Sequence, residues 1–157
     1  MKQFLFILCS FITVSGFSQN PPLKPVTWEV GYMQKSPTEG EIIFTATIEK
    51  KWHIYSQYQP IDVGPIPTSF TVAPNAGYEL VGKVEEEQAH EEYVAAFEAK
   101  VLVFSNKAVF KQKLKLKNTN KITTNCSLEF MTCNDIQCLP PATLDFTVII
   151  PESGTKK

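Results

Sequence analysis

The chain has 157 residues, with fifteen lysines, no arginine and sixteen acids, for a net charge of −1. That balance speaks against nucleic-acid binding, because phosphate recognition favours clustered basic side chains, above all arginine. The length suits one domain with a real core, and no stretch after the first residues is long or apolar enough to cross a bilayer.

The chain opens as a secretory leader. Met1-Lys2-Gln3 supplies a positive charge, Phe4 to Val14 is a short apolar run, and Gly16-Phe17-Ser18 offers small residues where a signal peptidase reads. The run is shorter than the about 20 residues a membrane span needs. Residues 1–18 are therefore expected to be a signal peptide, with a retained membrane anchor as the alternative. Acylation at Cys9 is disfavoured by bulky Leu8 and the brief apolar run before it. The mature chain is expected to be one domain over residues 19–157.

Alternating apolar and polar residues then mark half-buried strands. Val26, Trp28, Val30 and Tyr32 form the first set, and Ile42, Phe44, Ala46 and Ile48 the second. Trp52–Tyr55, Ser69–Val72, Tyr78–Val81 and Lys100–Phe104 are weaker strand candidates. Ala108, Phe110, Leu114 and Leu116 make a third set; Ile122, Thr124, Cys126, Leu128 and Phe130 a fourth; Leu144, Phe146, Val148 and Ile150 the last. Turn residues separate them at 37–40, 74–77, 105–107 and 117–120. Lysines 111, 113, 115 and 117 fall on one face of their strand and read as a solvated edge. Many short strands with almost no helix predict an all-β fold, an antiparallel β-sandwich of immunoglobulin type. Glu85 to Ala99 is rich in Glu and Ala, and so has helix propensity but no usual cap. It reads as a long excursion over one end of the sandwich, with room for a short helical turn.

Without the leader, three cysteines remain. Cys126 is in phase with Leu128 and Phe130 and should be buried and inert. Cys133 and Cys138 bracket Asn134-Asp135-Ile136-Gln137 between two strands. Residues facing one another across a hairpin mouth have Cα atoms about 4.5–5.5 Å apart, within reach of a disulfide. These two are expected to pair, at an exposed corner stiffened by Leu139-Pro140-Pro141.

A structural staple is the commoner role for a disulfide in a secreted protein. Magnitude argues for another role: closing so short a loop contributes only about 2 kcal/mol on the chain-entropy model. A bridge in an exposed short loop is also open to attack by a partner thiolate. The loop holds no lysine or arginine, and Asp135 disfavours a thiolate. Such a site waits to be attacked in its disulfide form, which suits a carrier.

The segment from Cys133 through Pro141, within these strands, resembles the N-terminal periplasmic domain of the thiol:disulfide interchange protein DsbD. Trp52-His53-Ile54-Tyr55-Ser56 and Gly64-Pro65-Ile66-Pro67-Thr68-Ser69-Phe70 are similar to that family too, and the resemblance spans roughly residues 24–151. It implies an immunoglobulin-like fold and a Cys133–Cys138 pair that relays reducing power as part of a protein-disulfide reductase system. The implied electron donor is a thioredoxin-like periplasmic domain or protein; the implied acceptor is a disulfide isomerase or a cytochrome c maturation protein. No cofactor is implied. The family's aromatic-tipped cap loop would fall in the 85–99 excursion, with Tyr93 or Phe97 at its tip, and its strand aromatics beside the cysteines would be His53 and Tyr55. Two departures bear on the cap contacts and the redox potential: the cysteine spacing is one residue shorter than in the best-known members, and a histidine replaces an aromatic at position 53. The sequence stops at Lys157 without a membrane or thioredoxin-like domain, so a stand-alone member that borrows both is expected.

Plainer readings stand beside these. Tyr93 and Phe97 are equally suited to the core, a histidine such as His53 most often sits satisfied at a surface, and Trp28 and Trp52 are assigned to the core. Cys133, Cys138, His53 and His90 offer soft ligands for zinc or copper, although their spacings match no tetrahedral pattern. An adhesion or assembly module with a structural disulfide is the third alternative, since a sandwich alone decides no function.

Overall fold

The computed structural model describes residues 23–59 and 64–152; the expected leader at 1–18 lies outside them. Eleven strands and one 3-10 turn are present among the described residues. In chain order they are β1 Val26–Ser36, β2 Glu39–Ile48, β3 His53–Tyr55, β4 Ser69–Val72, β5 Tyr78–Glu86, β6 His90–Val94, the turn Ala95–Phe97, β7 Ala99–Ser105, β8 Lys107–Leu116, β9 Ile122–Phe130, β10 Thr132–Cys133 and β11 Ala142–Ile150. All pairings are antiparallel, and the strands form three sheets, ordered β1-β2-β8-β5, β10-β3-β7-β6 and β11-β9-β4. The fold is an all-β sandwich of the immunoglobulin-like kind, as the alternation predicts.

Each long strand buries one side-chain parity, and those faces meet in the main core. Ile42, Phe44, Ala46 and Ile48 from β2 and Ala108, Phe110, Leu114 and Leu116 from β8 lie against Thr124, Cys126, Leu128 and Phe130 of β9. Phe70 on β4 joins the layers, its ring centroid 4.7 Å from those of both Phe44 and Phe110. Trp28 and Trp52 belong to this core.

A second, smaller apolar cluster lies on the other side of β3. Ile54 points into the main core, while Tyr55 joins Val94, Val101, Val103 and Cys133 in the second. A three-residue strand buried on both faces is thus the wall between core and cysteine pair. The segment after it is tied down: the Glu86 carboxylate accepts from Ser56 Oγ and from the Gln57 N–H (2.9 Å), and Gln59 exchanges two hydrogen bonds with the Leu102 backbone (2.8 and 3.1 Å).

Two expectations need correction. The 85–99 segment is mostly strand: β5 runs on through Glu86 after an irregularity at Val81/Glu85, where Gly82 adopts φ 67°, and β6 pairs residue by residue with β7. Helix propensity loses to pairing because the segment's backbone completes ladders with β8 and β7, and Val94 gains a buried site. The expected helical turn is confined to Ala95–Phe97. The lysine-bearing strand is no edge either. β8 lies between β2 and β5, and the lysines occupy the solvent side of an interior strand.

Phe110 touches the rings of Trp28, Phe70 and Phe104. Phe110→Ala is expected to lower stability by about 3–5 kcal/mol in urea unfolding, with little change in the denaturant slope.

Candidate redox site

The site begins where β9 ends. After Phe130 the chain steps past Met131 onto β10, and two residues pair with β3: Thr132 opposite Ile54 and Cys133 opposite His53. Thr132 Oγ1 donates to the His53 carbonyl at 2.9 Å, and Thr68 Oγ1 donates to the Tyr55 carbonyl at 2.5 Å. Two carbonyls on the β10 side of β3 are therefore held by buried hydroxyls, which suits so short a ladder.

Cys133 and Cys138 form a disulfide, with Cα atoms 4.0 Å apart. The four residues between them make a closed turn. The Asn134 N–H donates to the Gln137 carbonyl (2.9 Å), while Asn134 Oδ1 accepts from the N–H groups of Ile136 (2.9 Å) and Gln137 (2.8 Å). The Leu139 N–H then returns to the Thr132 carbonyl at 2.9 Å. Asparagine is suited to this place because its short amide can cap the backbone two and three residues on.

The two sulfurs differ in access. Cys133 is 0 % exposed, within the second apolar cluster, whereas half-buried Cys138 lines a cleft of about 290 Å³. The expected exposed corner is thus exposed on one side only, because β3 and the β6–β7 hairpin cover Cys133. The cleft runs between Asn134–Cys138 and the hairpin residues Glu92 to Ala95, with His53 as part of its lining. Its rim carries Ile136, 92 % exposed, and Tyr93, 61 % exposed.

His53 and Tyr55 lie together, as their parity on β3 predicts. Nε2 of His53 is 3.0 Å from Oη of Tyr55, and the rings meet edge to face. His53 is no surface histidine: it is 5 % exposed. Burial pushes its pKa below the usual 6.5, against the pull of Glu92 and Asp135, with His90 adding to the lowering. Burial also raises the Tyr55 phenol, so it stays protonated, and nearby Glu92 acts in the same direction. Phe97 packs edge to face on Tyr55 and against the cluster holding Cys133. Asp135 is exposed beside Ile136.

Cys126 lies in the main core, its thiol pushed up to about 11 by burial. His90 is exposed on β6 and pairs with Glu92 at 3.4 Å. Among the described residues no three His, Cys, Asp or Glu side chains converge as a metal site. The sequence pattern did not single out Asn134, Glu92 or Ile136. Asn-Asp between two cysteines signals a capped turn, and Ile136 is the one apolar residue in that polar loop. Glu92 carries no local signal, since its place depends on the β6–β7 register.

A sandwich that holds one disulfide at the mouth of a cleft, one sulfur sealed and the other open, is built as a thiol–disulfide exchange domain. Residues 22–149 match the family described as thiol:disulfide interchange protein DsbD, N-terminal, and the chain belongs to that family. No curated protein sequence matches it. Among solved structures, the N-terminal periplasmic domain of ScsB from Proteus mirabilis is similar with TM-score 0.57 and 14 % identity, over 84 % of this chain and 48 % of that one. The chain therefore spans about half the length of that relative. The N-terminal domain of DsbD from Neisseria meningitidis, in the reduced form, gives TM-score 0.49 and 13 % identity, over 75 % of this chain and 82 % of that one. Among the described residues no helix is long and apolar enough to cross a membrane.

Asn134→Ala removes the acceptor of two backbone donors and is expected to lower stability by about 1–2 kcal/mol in urea, with faster amide exchange confined to residues 134–139. The depressed His53 pKa sets a slope in pH. Between the folded value and 6.5 the unfolded chain binds more protons, so stability rises as pH rises through that window and falls as pH drops. Urea titrations across the window should show the slope, and His53→Gln should flatten it.

Proposed function

We propose that this chain is a periplasmic or secreted carrier of reducing equivalents, working through Cys133 and Cys138 after removal of residues 1–18, with the domain over residues 19–157. A thioredoxin-like domain or protein supplies the electrons, and an oxidised disulfide isomerase or cytochrome c maturation protein receives them. The family supports the chemistry, and the composition of the leader supports the compartment.

The observation that carries the proposal is the unequal access of the two sulfurs. A visiting thiolate reaches Cys138 Sγ through the cleft. A new bond forms between the visitor's sulfur and Cys138, the Cys133–Cys138 bond breaks, and the electron pair leaves on Cys133 Sγ. The visitor's second thiol, as thiolate, then attacks its own sulfur in the mixed disulfide. The visitor departs oxidised, and Cys138 is released as a thiolate that takes a proton from solvent. Delivery to the acceptor runs the same steps in reverse.

The tip of the β6–β7 hairpin is the cap. Phe97 lies over Tyr55 as the inner lid, and Tyr93 stands at the rim where a visitor arrives. Ile136 faces it across the cleft mouth, so a docking partner meets two exposed apolar side chains flanked by the carboxylates of Glu92 and Asp135. A partner with an apolar patch and a basic margin fits that rim.

Mixed-disulfide trapping in the native host tests the assignment. Cys133→Ser leaves Cys138 at the cleft and should capture a thioredoxin-fold protein, visible on non-reducing gels. Cys138→Ser, which leaves the sealed sulfur, should capture at least tenfold less, and Cys126→Ser should change nothing. Absence of any captured partner with both variants would remove the carrier role.

A further inference from the structure

Histidine at position 53 places a titratable ring directly opposite Cys133 in the β3–β10 ladder. Side chains of a directly opposed antiparallel pair share a face, with Cβ atoms about 4.5–5.5 Å apart. The imidazole is therefore a proton-accepting group on the same face as the Cys133 side chain. Its Nε2 is engaged by Tyr55 Oη, and its backbone carbonyl is pinned by Thr132 Oγ1. The ring also lines the cleft, which gives it a route to solvent protons.

The same place is unfavourable for a bare anion. Cys133 lies among Tyr55, Val94, Val101 and Val103, with no lysine in that cluster or lining the cleft. Every attack on Cys138 nonetheless ends with an electron pair on Cys133 Sγ, and a buried thiolate without a counter-charge is costly.

We propose that His53 is the proton-holding partner of Cys133, neutral beside the disulfide and imidazolium beside the thiolate. The role rests on the exchange chemistry above and deepens it. As the Cys133–Cys138 bond breaks, His53 takes one proton from solvent through the cleft and pairs with the new thiolate. When Cys133 attacks the mixed disulfide and the internal bond re-forms, the same proton returns to solvent. No other oxidant or reductant is needed. The pair stabilises Cys133 as a leaving group in one direction and keeps it nucleophilic in the other.

The groups facing His53 agree with this cycle. Tyr55, on its own strand, stays a neutral phenol. From β6, Glu92 favours the imidazolium and His90 opposes it; from the cysteine loop, Asp135 favours it. Burial wins while the sulfurs are bonded. One more anion in contact reverses the balance.

The chain has two histidines, so proton NMR of the imidazole C2–H signals tests the proposal directly, with His90→Gln to assign them and dithiothreitol as the reductant. The expected result is a His53 midpoint at least one unit higher in the dithiol form than in the disulfide form, a tenfold change in protonation. The rise should vanish in Cys133→Ser and persist in Cys126→Ser. His53→Phe, whose spectrum also reports folding, should slow reduction by dithiothreitol at neutral pH about tenfold. An unchanged midpoint on reduction, or a rise that survives Cys133→Ser, would overturn the role of His53 while leaving the carrier chemistry standing. A disulfide that dithiothreitol cannot open in the folded protein would remove both.

Discussion

The site depends on three residues of β3 being buried from both directions. A central strand normally has one parity in a core and the other under a second layer, and His53, Ile54 and Tyr55 do this over a single turn of the ladder. Ile54 belongs to the sandwich. Its neighbours belong to the chemistry. Any shift of β3 against β7 or β10 by one residue would exchange those roles, putting imidazole and phenol into the main core and an isoleucine beside the sulfurs. The register therefore needs more than backbone pairing, and the hydroxyls of Thr132 and Thr68 add it by holding the His53 and Tyr55 carbonyls.

That constraint explains why the cysteine pair is asymmetric. β10 is two residues long and continues from β9 after one intervening residue. Its second residue inherits a position in a buried ladder, and Cys133 cannot be exposed without breaking that ladder. Cys138 is reached only after a turn with its own hydrogen bonds, and it is half-buried at the wall of the cleft. A disulfide that crosses from a buried strand to a free loop has one inner and one outer sulfur by construction.

Much of the frame was legible in the residues. The parity of β2, β8 and β9 can be read from alternation because each has one face in the main core and one in water. The Cys133–Cys138 pairing was legible too, since a turn between strands leaves little choice of partner. The hairpin over the site was not. Glu85 to Ala99 carries helix-forming residues, and its strand identity comes from the registers with β8 and β7, both distant in sequence from the segment's start. The burial of Cys133 and His53 was hidden for the same reason, as both are covered by that hairpin. Lysines on alternate residues announce a solvated face, but they do not say whether the strand beneath is terminal or interior.

The turn held by Asn134 has a consequence for the dithiol form. Its three hydrogen bonds do not involve sulfur, so breaking the covalent link removes none of them directly. The two thiols then stay near one another at a high effective concentration instead of diffusing apart with a slack loop. Re-closing demands little chain ordering, and a molecule that has accepted electrons is under standing pressure to hand them on.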